Sequence, residues 1–132
     1  MDCPKLRLSR STNNLEKLIT FYCQGLGFEV LDRYEDQLGW DGVICGHKDW
    51  PYQMEFSQKR ETEEVPRAPS SNHFIVISIP TEEEWKKTLS SLFDVGFQQV
   101  AKPKLYADQT AAAYEDPDGY RVVLRHGVWK HI

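Results

Sequence analysis

Residues able to do chemistry are sparse in this chain and concentrate on two short alternating runs. In Tyr52-Gln53-Met54-Glu55-Phe56-Ser57, apolar and polar side chains alternate. On a pleated strand this puts Gln53 and Glu55 on one face and Tyr52, Met54 and Phe56 on the other. In Arg121-Val122-Val123-Leu124-Arg125, the two arginines share a face with Val123, and Val122 and Leu124 lie behind. An amide, a carboxylate and guanidiniums are groups that orient a polar ligand, and Glu55 is also a candidate general base. A base in an arginine-rich cleft has a lowered pKa, which weakens it at neutral pH. Other chemistries lack their residues. His126 and His131 are close in sequence but stand at the chain end. Ser9-Arg10-Ser11 and Ser70-Ser71 match no nucleophile motif. Neither a P-loop nor a dinucleotide fingerprint occurs. Cys3, Cys23 and Cys45 are far apart in no metal-like spacing, which reads as three reduced thiols in a cytoplasmic protein.

The elements that must position these groups follow from pattern. Leu6 and Leu8 alternate with Lys5, Arg7 and Ser9, a half-buried strand. Ser11 to Asn14 offers several helix caps, and Asn13 with Glu16 forms a capping box. Leu15, Leu18, Ile19, Tyr22, Cys23 and Leu26 then recur at helical spacing. Strands are expected over Phe28–Tyr34, Trp40–Gly46 and Tyr52–Ser57. A charged, proline-containing linker follows. The order then restarts with a strand at Phe74–Ile79 and a helix capped by Thr81 with Glu84. That helix carries an apolar stripe of Trp85, Leu89, Leu92 and Phe93. Strands follow at Phe97–Ala101, Thr110–Glu115 and Tyr120–Arg125, the last two joined by a tight turn at Asp116-Pro117-Asp118-Gly119. Trp85 is expected in the core. Trp40, Trp50, Tyr106, Tyr114 and Trp129 are aromatics that no core stripe explains, available to a cleft or a dimer seam.

Composition bounds the rest. The 132 residues suffice for one domain or two fused half-sized modules, and 40% hydrophobic with 27% charged residues is ordinary globular composition. A net charge of −4 disfavours nucleic acid as a partner. No apolar run approaches a transmembrane length, and the N-terminus lacks the apolar core of a signal peptide.

The two halves can be superposed. Thr12 to Phe28 and Thr81 to Phe97 have the same length, Lys17 and Lys86 coincide within them, and Tyr52–Phe56 falls over Tyr120–Leu124. This points to a duplicated strand-helix-strand-strand-strand module. The fold expected is α+β, with two βαβββ modules forming a curved mixed sheet around a central cleft. Module one spans 4–58, the linker 59–72 and module two 73–128. One helix covers only one face of a four-stranded sheet, so the face carrying Gln53, Glu55, Arg121 and Arg125 is expected to be polar and to line the cleft.

Three pieces of this sequence resemble the glyoxalase, bleomycin-resistance and extradiol-dioxygenase superfamily, also called vicinal oxygen chelate. They are Asn14-Leu15-Glu16 leading through Phe21-Tyr22 to Leu26-Gly27-Phe28, the duplicated module, and Glu115-Asp116-Pro117-Asp118-Gly119-Tyr120 before the last strand. The resemblance implies paired modules in a homodimer, but no single reaction. It also implies metal ligands on the first and last strand of each module. Those positions fall on Arg7 (or Lys5), Glu55, His73 (or Asn72) and Val123. A charged arginine and a valine cannot ligate, so donors remain only at Glu55 and His73, fewer than a divalent ion needs. The expectation is therefore a metal-free cleft lined by Arg7, Gln53, Glu55, His73, Tyr114, Arg121 and Val123, with Glu55 paired to Arg7 or Arg121. A divalent metal at Glu55 and His73 is the alternative. Two functions remain open. One is a small-molecule binding protein like the bleomycin-resistance branch, although the arginines suit an anion better than a cationic drug. The other is a lyase, isomerase or dioxygenase with a rebuilt site.

Overall fold

The last strand of each half sits in the middle of its sheet, and this places the polar runs identified above. A computed structural model of the chain describes residues 3–61 and 64–127. Two compact units divide between Pro66 and Arg67. Each is a mixed four-stranded sheet with a helix after its first strand, so the α+β class and the βαβββ order are as expected. Trp129 and His131 lie outside the described residues.

Unit one comprises β1 (Leu6–Ser11), α1 (Leu15–Ile19), a π-turn (Thr20–Gly25), β2 (Glu29–Gln37), β3 (Trp40–Gly46) and β4 (Tyr52–Lys59). The strand order is β1-β4-β3-β2, with β1 parallel to β4 and β3 antiparallel to both its neighbours. Two details differ from expectation. The helix cap is Asn14, whose side chain accepts from the Lys17 N–H at 3.1 Å. Helical dihedrals start only at Leu15, so Asn13 sits too early to cap. It exchanges two hydrogen bonds with the Val65 backbone instead, at 2.8 and 2.7 Å. Phe21, absent from the expected stripe, is fully buried. The Leu26 N–H reaches back to the Phe21 carbonyl (2.9 Å), which widens the turn by one residue and turns Phe21 toward the sheet. Tyr22 packs on Phe56 with ring centroids 4.7 Å apart. The cysteines are free, but two of them are not isolated: Cys23 and Cys45 share a hydrogen bond that, with burial, pushes the Cys45 thiol up.

Unit two comprises β5 (Phe74–Ile79), α2 (Glu82–Asp94), β6 (Gln99–Val100), a 3-10 turn (Lys104–Tyr106), β7 (Ala111–Glu115) and β8 (Arg121–His126). Its order is β5-β8-β7-β6, again with the first and last strands parallel. Thr81 caps α2, accepting from the Glu84 N–H at 3.1 Å. Trp85 and Leu92 are buried, whereas Phe93 is 73% exposed. At 100° per residue it falls outside the sector that Trp85 and Leu92 define. The β7–β8 turn is organised by the buried Asp116, whose carboxylate accepts from the Asp118 and Tyr120 N–H groups at 2.9 and 3.0 Å. Gly119 closes it at φ +89°, a conformation that costs other residues steric strain.

The segment expected as a linker is irregular and tied down at several points. β4 runs through Lys59, Val65 is held by Asn13, and Arg67 donates to the Pro117 carbonyl (3.1 Å) while pairing with Glu115 (3.0 Å). Among the described residues, no helix is long and apolar enough to cross a membrane.

Trp85 is the point where α2 is fastened to its sheet, because its buried indole N–H donates to the Leu124 carbonyl at 2.9 Å. Trp85→Ala is expected to remove about 3–5 kcal/mol of stability in chemical denaturation, through lost burial and an orphaned carbonyl. Trp85→Phe, which keeps most of the area, is expected to lose less.

Candidate functional site

The face of each sheet opposite its helix is where ligand-directed groups collect, and the two units build it differently. In unit one, β4 contributes Gln53 and Glu55 to this face, and the register places Arg7 beside Gln53. The Arg7 Nε and NH2 groups both donate to the Gln53 side-chain oxygen, at 3.2 and 3.0 Å. Glu55 accepts from the Tyr34 hydroxyl at 2.9 Å. Tyr34 reaches it from β2 by crossing β3 over Gly42, its register partner. A Cβ at Gly42 would run into the Tyr34 ring. Gly42 therefore serves as a notch for the tyrosine. Desolvation, the hydrogen bond to Glu55 and that carboxylate's charge raise the Tyr34 pKa above its ordinary value, while Arg7 opposes the shift. The phenol stays protonated through neutral pH and acts as a donor.

Arg7, Gln53 and Glu55 thus share one face, as expected, but Glu55 is not paired with Arg7. Tyr34 holds Glu55, Gln53 holds Arg7, and Arg121 has Glu115 as its neighbouring carboxylate, at 3.7 Å. Tyr34 could have been suspected from a glycine inside a strand, which marks a close approach. The partner across the sheet could not.

In unit two, the expected polar face is apolar at its centre. Val123 is 0% exposed and clusters with Ala111 and Ala113. Phe74, Val76, Val100 and Tyr106 pack against that cluster, and the Tyr106 ring meets Phe74 edge-on at 5.7 Å. His73 is exposed and lies just before β5; the residue whose register sets it beside Arg121, on the Val123 face, is Phe74. Tyr114 is a further correction. It is 2% exposed and pairs with Val122, so it belongs to the helix side of the sheet. Among the unassigned aromatics, Trp50 stacks on Tyr52 at 4.9 Å and meets Phe28 at 5.5 Å. Trp40 lies under the Lys59 ammonium.

Between the sheet and the segment carrying the 3-10 turn is an open cavity of about 620 Å³. Phe74 and Ala113 form part of its apolar lining, Asn72 lies on its wall, and Lys102, Lys104 and Arg121 bring three cations to it. The segment is ordered by Asp108, whose carbonyl accepts from the Lys102 ammonium (2.7 Å) and whose carboxylate accepts from Thr110.

The residues present do not fit the metal centre that the fold suggests. The last-strand position of unit two is a valine enclosed by alanine and phenylalanine, and in unit one an arginine shares the face of the only carboxylate in question. Among the described residues, no group of three or more His, Cys, Asp or Glu side chains is placed to hold an ion.

Two βαβββ units, each with its last strand central, define the fold of the glyoxalase and fosfomycin-resistance proteins, the vicinal oxygen chelate superfamily. Within it the chain belongs to the YycE-like family: residues 6–57 match its N-terminal domain and residues 72–126 its C-terminal domain. The uncharacterized protein YycE of Bacillus subtilis (strain 168) is 30% identical over 120 residues, covering 91% of this chain and 86% of that one. The crystal structure of YycE from that species, a protein of unknown function, aligns at a TM-score of 0.80 over 97% of this chain and 91% of that chain. Glyoxalase I of Leishmania major, a trypanothione-dependent enzyme, shares the fold at 17% identity and a TM-score of 0.71, over 95% and 87% of the two chains. TnmS3, an antibiotic-binding protein from Streptomyces sp. CB03234, does so at 17% identity and 0.64, over 97% and 98%.

The Tyr34 arrangement has a direct test. Gly42→Ala is expected to cost about 1–3 kcal/mol, because the ring has to leave its place and release Glu55. Adding Tyr34→Ala to Gly42→Ala should then cost less than Tyr34→Ala costs alone. Strict additivity in denaturation free energies would show that the ring does not occupy the notch.

Proposed function

We propose that this protein binds a small organic molecule on the open faces of its modules and does so without a metal ion. The observation that carries this reading is the apolar floor at Val123. A position that would face a bound ion in a metal-dependent member is closed instead by aliphatic and aromatic contacts. A floor of this kind beside the polar groups of its own unit, Lys102, Lys104 and Arg121, is the usual make-up of a small-molecule pocket. Unit one offers a separate polar face, on which Tyr34 holds Glu55 and the Arg7–Gln53 pair is preset. That the fold also serves as an antibiotic-binding protein in TnmS3 supports the reading without identifying the ligand.

A homodimer is part of the same proposal. It is supported by Leu6 and Leu8 on the outer strand of unit one, 67% and 45% exposed. Side chains of this kind along a sheet edge gain from being covered.

Both points are tested on one preparation. Elemental analysis of the purified protein should find substoichiometric nickel, zinc, manganese and iron, and adding any of these ions should leave the melting temperature unchanged. Stoichiometric metal, or a stabilising shift abolished by Glu55→Ala, overturns the proposal in favour of a metal-dependent lyase, isomerase or dioxygenase. Sedimentation equilibrium should return twice the monomer mass, and a monomer at all concentrations would remove the dimer.

A further inference from the structure

We infer that the ligand is an organic anion with an apolar body, and that its charged end is held in unit two by Lys102, Lys104 and Arg121. The inference rests on the binding-protein reading and adds the chemical class and the site. Three observations carry it. First, the charges at this cavity are one-sided. The chain as a whole carries a net charge of −4, yet the cavity is lined by three cations and no carboxylate. Cations brought together with only partial counter-charge, from Glu115 beside Arg121 and the Asp108 carboxylate near Lys102, repel one another, and an arrangement of that kind is relieved when an anion enters.

Second, the arginine is poorly satisfied. Its Nε is buried without a hydrogen-bond partner, and its terminal nitrogen stands 3.7 Å from Glu115. That carboxylate already accepts from Arg67 at 3.0 Å, so it neutralises Arg121 only in part. A guanidinium with unspent donors matches the two-oxygen edge of a carboxylate, phosphate or phosphonate. Lys102 has spent one donor on the Asp108 carbonyl, which fixes its position, and an ammonium carries further donors. Lys104 makes no ion pair among the described residues.

Third, the cations border an apolar floor. Phe74 and Ala113 belong both to the cavity wall and to the packed cluster around Val123. A free inorganic anion would leave that floor wet, whereas an aryl or alkyl group on the anion would cover it. The volume of about 620 Å³ is of the size that small organic molecules occupy.

The test uses the full-length chain, labelled with nitrogen-15, and a matched set of probes. Phenylacetate and phenylphosphonate supply the anion with a body, phenylacetamide the body without charge, phenethylamine the opposite charge, and inorganic phosphate the charge without a body. Amide shifts at Ala113, Lys104 and Arg121 report the site. Both aryl anions are expected to bind there roughly tenfold or more tighter than phenylacetamide, with phenethylamine and phosphate weaker still. Lys104→Ala and Arg121→Gln should each weaken anion binding by roughly tenfold while leaving the phenylacetamide Kd in place. Arg121→Lys should recover part of the loss, and Lys48→Ala, on unit one, should change nothing. Circular dichroism verifies that each variant is folded. Equal affinity for phenylacetate and phenylacetamide overturns the anion class and leaves the binding-protein reading standing. Anion binding that survives both substitutions overturns the site, and absence of binding by every probe overturns the inference. Stoichiometric metal in the elemental analysis would defeat the binding-protein reading separately.

Discussion

Everything in each module depends on the last strand being paired on both edges. Because β1 lies parallel to β4, and β5 to β8, the chain's last strand in each unit is enclosed between two others. A parallel pair needs a crossover, and the helix supplies it. That helix then covers one face, which explains why Met54, Phe56, Val122 and Leu124 are all buried. The other face of the same two strands is left to carry Gln53 and Glu55 in unit one, and Arg121 and Val123 in unit two. An interior strand cannot slip register without exposing its apolar set, so these positions are held as firmly as the core itself.

On this shared frame the two open faces have diverged in physical character. Register makes Gln53 equivalent to Arg121 and Glu55 to Val123, with Arg7 standing where Phe74 stands. In unit one these identities give a hydrogen-bonded polar surface in which Tyr34 and Glu55, and Arg7 and Gln53, satisfy one another. In unit two they give small and aromatic apolar residues with cations at the edge. Polar groups that satisfy one another are preset, and an apolar floor offers burial.

The separation between what sequence pattern conveyed and what it did not follows the range of the interaction. The hairpin at Asp116–Gly119, the cap at Thr81 and the strands Trp40–Gly46 and Phe74–Ile79 were legible because each rests on neighbours along the chain. Tyr114 was misplaced for the opposite reason. Its side of the sheet is set by pairing with Val122 rather than by any polarity in Ala111-Ala112-Ala113-Tyr114, where alanines give no alternation to read. His73 stands one residue before the pairing of β5 begins, a phase that depends on where pairing starts. Phe21 was missed because a widened helical turn breaks the periodicity used to find a buried stripe.

The sequence by itself determined the α+β class, the repeated module and the residue types on the two last strands, because alternation, capping and turn chemistry act between near neighbours. It also determined that Val123 is no metal ligand, which follows from its side chain alone. Only the tertiary structure decided that Tyr34 crosses Gly42 to reach Glu55, that Arg7 is held by Gln53, that Val123 clusters with Ala111, Ala113 and Phe74, and that Lys102, Lys104 and Arg121 meet at one cavity. Those contacts join residues remote in the chain. Their partners are chosen by strand register and by the fold of the segment around Lys104, and neither is written in local pattern.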